Sequence, residues 1–207
     1  MVEYSSGIWV KDKRRYGNMK IKVWPQGLFD DNLRVKGIDD SNVECLNTAF
    51  ISIIGTKECL EYYLNEGNTK HYLKDHPNVL NLEFDDLATD ILYNGHLFKT
   101  LTMEQAEKSV EFIERVISGW PDEIDIHCRA GYSRSRAFAE FIWRYCKEHN
   151  IEVEYHERDV YMSVYNQGVL SRLNNAYWKK HRINGYENGE DYDKELSDPE
   201  PIEITRT

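Results

Sequence analysis

The chain has 207 residues, of which 41% are apolar, and it carries a formal net charge of −10. This length fits one domain with tails, and no apolar run approaches the length that a membrane span needs. Eight acidic and two basic residues lie between residues 186 and 207, so most of the negative charge belongs to the C-terminal tail. Because the chain has no basic patch or stripe, we expect neither nucleic acid nor a membrane as a partner.

The compartment is indicated by the N-terminus and by the cysteines. The first residues lack the basic and apolar segments of a signal peptide. The four cysteines, at positions 45, 59, 128 and 146, show neither CxxC spacing nor the pattern of a disulfide framework. We therefore expect reduced thiols and a cytoplasmic protein.

Apolar periodicity predicts strands and helices in alternation along the chain. The predicted strands, the first of them interpreted as an edge strand, are 19–24, 49–54, 79–84 and 124–126. The predicted helices are 57–64, 104–118, 138–146 and 171–180. Thr102 and Gln105 make a capping box that starts the second helix. This order predicts an α/β fold, a single domain with a central, mostly parallel sheet flanked by helices.

The segment 128–135 joins a predicted strand to a predicted helix and carries the residues with the clearest chemistry. A loop that opens a helix points free backbone N–H groups inward at the positive end of the helix dipole, so it binds an anion readily. Cys128 stands at the start of this loop, where that field favours the thiolate. Arg134 follows six residues later with a planar fork that matches two phosphate oxygens. Ser135 has a hydroxyl group that can donate a hydrogen bond to the sulfur.

These groups together predict attack of a thiolate on a phosphate monoester. Backbone donors and Arg134 would hold the phosphoryl oxygens while Cys128 attacks phosphorus and forms a phosphocysteine intermediate. This chemistry needs no metal and no cofactor. The histidines of the chain also lack the spacing of metal ligands.

The run His127-Cys128, five residues, Arg134-Ser135 resembles the signature loop of the cysteine-dependent protein tyrosine phosphatases. The interior of the loop is most similar to that of the compact dual-specificity phosphatases. The resemblance implies that the loop interior binds the phosphate of the substrate, through Arg129, Ala130, Gly131, Tyr132 and Ser133. It also implies a phosphatase-type loop between a strand and a helix of the α/β domain.

A phosphatase of this family uses an aspartate that follows the strand before the signature strand as its general acid and base. Asp86 is the residue at which the resemblance places this role, and Asp85 and Asp90 are nearby alternatives. The separation of Asp86 from Cys128 is longer than is usual in compact members. We therefore expect an extra loop over residues 94–102.

Two further residues are expected to support the loop. His127 precedes the nucleophile, and we expect it to hydrogen-bond to the loop backbone and to favour the thiolate rather than to act as the base. The segment Asn166-Gln167-Gly168 resembles a late Asn-x-Gly segment of the dual-specificity phosphatases that packs beside the signature loop. The resemblance implies that the Asn166 side chain supports the loop.

The resemblance covers the catalytic domain, which we place at 45–185. Residues 1–44 are then expected to be an N-terminal extension packed on the domain, and the charge and prolines of 186–207 predict an acidic, disordered tail. The resemblance implies a phosphorylated protein or peptide as substrate. A pseudophosphatase that binds a phosphorylated partner without turnover is one alternative, and a phosphatase of RNA 5′ ends or phosphoinositides is another. A redox thiol protein is disfavoured, because Cys146 lies too far along the predicted helix to resolve a disulfide with Cys128.

Overall fold

The structure is a computed structural model and describes residues 2–3, 9–10, 18–58, 71–155, 165–181 and 201–204. Its strands are β1 (Val2–Glu3), β2 (Trp9–Val10), β3 (Met19–Pro25), β4 (Thr48–Ile54), β5 (Val79–Glu83), β6 (Ile91–Tyr93), β7 (His96–Phe98), β8 (Glu123–Cys128), β9 (Val153–Glu154) and β10 (Ile202–Ile204). Its longer helices are α1 (Gln26–Lys36), α2 (Met103–Ser118), α3 (Arg134–Glu148) and α4 (Gln167–His181). The predicted helix over 57–64 and the connector after residue 155 lie mostly outside the described residues.

Five parallel strands form the central sheet, in the order β5-β4-β8-β3-β9. The expected α/β domain with a mostly parallel central sheet is therefore confirmed. β8, which ends at Cys128, lies in the middle of the sheet between β4 and β3. The carboxyl ends of parallel strands meet at one edge of a sheet, where α/β proteins place their ligands. Cys128 thus lies at the centre of the edge at which a site is expected.

The role expected for residues 19–44 is corrected by the sheet. The interpretation of 19–24 as an edge strand is wrong, because β3 has β8 on one side and β9 on the other. β9 pairs with only Met19 and Lys20, so the rest of β3 has one neighbour and keeps the alternating pattern of an edge. Since β3 belongs to the sheet and α1 covers it, this part of 1–44 belongs to the domain and is not an extension packed on it.

Alternation along the strands divides the core between the two faces of the sheet. On one face α1 packs over a small cluster that includes Phe29, Leu33 and Phe50. On the other face α2, α3 and α4 cover a larger cluster that contains Ile51, Ile126, Phe138 and Leu173 among others. α4 packs against both α2 and α3. Among the described residues, no helix is long and apolar enough to cross a membrane.

The connection between β5 and α2 contains the extra segment that the sequence predicts over 94–102. It is a hairpin of β6 and β7, which pair antiparallel across a turn at Asn94 and Gly95, both with positive φ (49° and 80°). Such turns match the twist of a two-stranded ribbon. The third strand beside this hairpin is β10, which pairs parallel with β6. Residues 202–204 of the predicted disordered tail therefore form a strand, which corrects the prediction for that segment.

Candidate active site at the end of β8

Cys128 is the last residue of β8, and α3 begins at Arg134. We call the five residues between them, 129–133, the Cys128 loop. Cys128 is buried, with 2% of its surface exposed, and its Sγ lies 3.1 Å from the Oγ of Ser135 in the first turn of α3. When the sulfur is a thiolate it can only accept, so the Ser135 hydroxyl is then the donor. The first turn of α3 also contributes N–H groups without helical partners at the positive end of its dipole.

The shape of the Cys128 loop depends on Gly131. This residue has φ of +69°, and a Cβ at its position would lie 2.6 Å from the backbone nitrogen of Pro25. The loop therefore packs against the junction of β3 and α1, where Gln26 donates its backbone N–H to the Arg129 carbonyl at 3.1 Å. A side chain at position 131 would collide with backbone atoms that cannot move independently. Glycine is thus required both for the conformation and for the close approach.

Arg134 brings a positive charge into the buried base of the site. It is 7% exposed, its Nη1 donates to the Phe84 carbonyl at 2.6 Å, and its guanidinium carbon lies 5.9 Å from the centre of the Phe84 ring. Its Nε is buried and has no hydrogen-bond partner among the described residues. Buried charges and donors of this kind are normally paired. The arrangement therefore suits an anion bound between Arg134 and the start of α3.

Asp86 lies beside the Cys128 loop, on the segment that follows β5. Its Oδ1 accepts hydrogen bonds from Ser133 Oγ at 2.7 Å and from Asn166 Nδ2 at 2.8 Å. The residue is exposed, whereas Ser133 is half-buried. The structure thus brings Asp86 and the loop together across 47 residues of sequence. Because Oδ1 already accepts two hydrogen bonds, Oδ2 is the oxygen at which a proton can be carried.

The two alternative aspartates, Asp85 and Asp90, use their carboxylates to accept hydrogen bonds from neighbouring backbone N–H groups. Asp85 is 2% exposed, and its carboxylate accepts from the Thr56 N–H and hydroxyl and from the Lys99 N–H, at 2.7 to 3.0 Å. Asp90 accepts from the Thr100 N–H at 2.8 Å. These bonds fasten the segment 85–90 to the end of β4 and to the residues that follow β7. Among the described residues, no hydrogen bond joins either carboxylate to the Cys128 loop.

Asn166 connects α4 with the Asp86 segment and with the Cys128 loop. Its Oδ1 accepts the Val169 N–H at 3.0 Å and so caps α4, while its Nδ2 donates to Asp86. Its backbone N–H donates to the Ser133 carbonyl at 3.3 Å. Two residues later, a Cβ at Gly168 would lie 2.8 Å from the Cα of Ala88. The start of α4 is therefore packed directly on the segment that carries Asp86.

His127 differs from its expected role. Its side chain points to the α1 face, where the ring stacks on Phe29 with centroids 4.2 Å apart, and its Nε2 lies 2.7 Å from Ser52 Oγ. The expected hydrogen bond to the loop backbone is not among its contacts, and Nδ1 is buried without a partner in the described part of the chain. Burial, with the charges of His71 and Arg134, lowers the pKa of His127 to about 3. The ring is therefore neutral near pH 7 and cannot favour a thiolate through a positive charge.

The remaining loop residues form the rim of the site. Arg129 and Ala130 are exposed, and Tyr132 is 50% exposed with the Arg136 guanidinium 4.6 Å from its ring centre. Arg136 is itself buried, and its contact with Tyr132 was not predicted from the sequence. Two further residues that the sequence analysis missed are Ser52 and His71, which contact His127 through one hydrogen-bonded chain. The polar Ser52 in the otherwise apolar run 49–54 was the available signal.

The site as a whole combines a buried thiol, a hydroxyl beside it, a buried guanidinium, a helix N-terminus and a carboxyl group at the rim. These groups can hold an anion at the end of β8 and can move a proton at its edge. No group of three or more histidine, cysteine, aspartate or glutamate side chains in the described ranges is arranged to hold a metal ion. Comparisons of the chain with protein-family models, with curated proteins and with solved structures found no match.

Proposed function

We propose that this protein is a phosphomonoester hydrolase that acts through a Cys128 phosphocysteine intermediate. The observation that carries the proposal is the placement of Cys128, Ser135 and Arg134 around the start of α3, where the buried Arg134 Nε has no hydrogen-bond partner among the described residues. A phosphoryl group satisfies this set: the guanidinium and the first backbone N–H groups of α3 bind its oxygens. Asp86 at the rim supports the assignment, since both steps of the reaction need a proton-transfer group.

In the first step the Cys128 thiolate attacks phosphorus and the bond to the ester oxygen breaks. The leaving oxygen takes a proton from Asp86 Oδ2, so an alcohol or a phenol leaves and Asp86 becomes a carboxylate. Arg134 and the helix N–H groups stay on the phosphoryl oxygens as charge redistributes over them. The hydrogen bonds from Ser133 and Asn166 hold the Asp86 carboxyl group at the edge of the loop throughout.

In the second step water attacks the phosphorus of phosphocysteine. Asp86 takes a proton from this water as the sulfur–phosphorus bond breaks, which releases phosphate and restores the protonated acid. The sulfur leaves as a thiolate, and the Ser135 hydroxyl, 3.1 Å away, donates to it. Ser135 therefore acts mainly in this step, because only here does negative charge develop on the sulfur.

A phosphorylated protein or peptide is the substrate class that the rim fits best. Within the Cys128 loop, Tyr132 presents a half-exposed ring and Arg129 an exposed side chain, and both are suited to contacts with a polypeptide around a phosphorylated residue. We place the protein among tyrosine and dual-specificity phosphatases on this basis, in the cytoplasm where thiols stay reduced. The acidic net charge of −10 disfavours nucleic acid as substrate.

The test is hydrolysis of p-nitrophenyl phosphate by the full chain, with and without EDTA, compared with Cys128→Ser. We expect turnover that EDTA does not change and that Cys128→Ser lowers by more than about 10⁴-fold. Trapping with acid during turnover should also leave one phosphate on Cys128, visible by mass spectrometry. Turnover that survives in Cys128→Ser would overturn the mechanism. Binding of a phosphopeptide without turnover would instead identify a pseudophosphatase.

A further inference from the structure

A chain of three side chains runs from the residue before Cys128 to the half-buried His71. Ser52 on β4 and His127 on β8 are partners in the parallel register. Ser52 Oγ lies 2.7 Å from His127 Nε2 and 2.7 Å from His71 Nδ1. Ser52 is 3% exposed and His127 fully buried, so the chain begins inside the domain and ends at a partly accessible ring. These distances are those of two good hydrogen bonds.

The single hydroxyl proton of Ser52 makes the two bonds depend on each other. The serine oxygen donates to one ring and accepts from the other. If it donates to His71, then His127 carries its proton on Nε2 and its buried Nδ1 is a bare acceptor. If it donates to His127, then His71 Nδ1 must carry a proton and His127 must carry its own on Nδ1. Because no partner for Nδ1 is found in the described residues, and buried N–H groups without partners are rare, the first arrangement is favoured while His71 is neutral.

Protonation of His71 removes this choice. A cationic imidazole has protons on both nitrogens, so its Nδ1 can only donate to Ser52. The serine hydroxyl then donates to His127 Nε2, and the His127 proton is relocated from Nε2 to Nδ1. The net change is one proton taken from solvent at His71. His127 itself stays neutral, because burial and the nearby Arg134 charge oppose a cation there.

The surroundings of the two rings support a relay rather than two independent histidines. The His127 ring packs against the Phe29 ring and the Tyr72 ring, with centroids at 4.2 and 5.9 Å, and this packing restricts its rotation. His71 is the end that titrates: burial lowers its pKa, and the charge of Asp75 opposes this effect. His127, in contrast, lies near the charges of His71 and Arg134, and both of these lower its pKa.

We propose that Ser52 and His71 are positioning residues that set the tautomer of His127 and couple it to the protonation of His71. The proposed function is needed for the consequence alone: a positive charge at His71 and an N–H at His127 Nδ1 both favour an anion at the end of β8. Coupling between two sites is reciprocal, so an anion bound beside Arg134 favours protonation of His71 to the same extent. The relay thus makes anion binding at the Cys128 loop stronger as His71 becomes protonated.

The first experiment measures the tautomers directly, without reference to activity. Long-range ¹H–¹⁵N spectra of the full chain labelled with ¹⁵N-histidine should show His127 protonated on Nε2 at pH 8. It should switch to Nδ1 as His71 titrates. In His71→Asn, which keeps a polar group near the position of Nδ1 but does not titrate, His127 should keep one tautomer from pH 8 to pH 5. His149→Asn, outside the relay, should behave like the wild type. A His127 tautomer that stays constant while His71 titrates would overturn the proposal.

The second experiment tests the connection to the site with sulfate, a dianion throughout this pH range. Saturating sulfate should raise the titration midpoint of His71 by about 0.7 pH unit, which corresponds to roughly fivefold coupling. In Ser52→Ala the shift should be smaller than in the wild type, because only the charge of His71 then couples to the anion. Binding of sulfate without any change in the titration midpoint of His71 in the wild type would disprove the coupling. If sulfate and phosphate do not bind at all, the proposed active site fails, while the tautomer titration still decides the relay.

Discussion

Asn166 Nδ2 donates to Asp86 Oδ1 at 2.8 Å, across a separation of 80 residues. The same Asn166 side chain caps α4 through the Val169 N–H, and its backbone bonds Ser133 in the Cys128 loop. The position of Asp86 beside the loop therefore depends on the first turn of α4. The Asn166 side chain therefore contributes both to the stability of α4 and to the geometry of the site.

Asn166→Ala should lower both stability and catalysis. Loss of the cap should lower the free energy of unfolding by about 0.5–2 kcal/mol. Release of Asp86 should lower kcat by about 10- to 100-fold, because a misplaced acid transfers its proton poorly. Thr102→Ala removes the cap of α2, whose bonds within the described part of the chain run to Gln105 and not to the Cys128 loop, and is the matched control. It should show a similar loss of stability with kcat unchanged, and an equal loss of kcat in both variants would contradict the role of Asn166.

Asp86→Asn and Asp85→Asn should separate catalysis from stability. Asp86→Asn should lower kcat with a phosphotyrosine peptide by about 10²–10⁴-fold and should leave thermal unfolding nearly unchanged, because Asp86 is exposed. Asp85→Asn should lower the free energy of unfolding by about 1–3 kcal/mol, because an amide cannot accept all three bonds from Thr56 and Lys99. A full loss of turnover in folded Asp85→Asn, with Asp86→Asn active, would reverse the assignment.

Gly131→Ala should destroy the site, whereas Gly27→Ala should be tolerated. The added methyl group at position 131 would meet Pro25 at 2.6 Å in a left-handed conformation, so the loop must shift. We expect a loss of more than about 100-fold in kcat/KM. At position 27, in the first turn of α1, none of the described residues lies within 4 Å of an added Cβ. Steady-state kinetics of the two variants provide the comparison, and normal activity in Gly131→Ala would contradict the packing of the loop.

The described cysteines should differ in their reaction with iodoacetamide. Burial raises the pKa of Cys146 to about 12, so at pH 8 only about one molecule in 10⁴ has a thiolate there. Cys45 is exposed and should be alkylated without any effect of phosphate. Alkylation of Cys128 should be slowed by inorganic phosphate, which occupies the loop. Peptide mass spectrometry over time gives the three alkylation rates. Rapid modification of Cys146 in the folded protein would contradict its burial in the core.

Stability should fall in acid because of the His127 ring. Its pKa is about 3 in the folded protein and about 6.5 when exposed, so the unfolded chain binds the extra proton between these values. The stabilising contribution is complete above pH 6.5 and is lost as the pH falls through 3, at about 1.4 kcal/mol per pH unit. Burial also lowers the pKa of His71, so this residue likewise reduces the stability of the folded protein in acid. Denaturant unfolding from pH 7 to 4 should show a shallower slope in His127→Gln than in His149→Asn.

The sequence was sufficient to predict most of the fold and the strand, loop and helix around Cys128, because these depend on local patterns. An apolar run predicted β4, alternation predicted β5, and Thr102 with Gln105 predicted the start of α2 with its capping box. The placement of Cys128 before a helix that begins at Arg134 also follows from short-range periodicity. These features need only neighbouring residues to be recognised.

Long-range placement could not be predicted from such patterns. The position of β3 inside the sheet depends on β9, two residues long and 134 positions away from Met19 to Val153. Asp85 and Asp86 are adjacent in sequence and chemically identical, and only the fold separates their environments. Likewise, the direction of the His127 side chain follows from strand alternation, but its partner His71 lies outside any regular element. The pairing of β10 with β6 depends on a segment of three residues, which is too short for alternation to identify a strand.

The register of the central sheet has a consequence for how the chain folds as it is synthesised. β3 pairs with β8 from Lys20 opposite Glu123, a separation of 103 residues, and β8 also supplies the other neighbour of β4. At about 5–20 residues per second, a ribosome would complete β3 roughly 5–20 s before β8 is available. Until then β3 and β4 present unpaired backbone edges, and pairing between distant segments is slow. We therefore expect β8, the strand that ends in Cys128, to close the sheet in the late phase of folding.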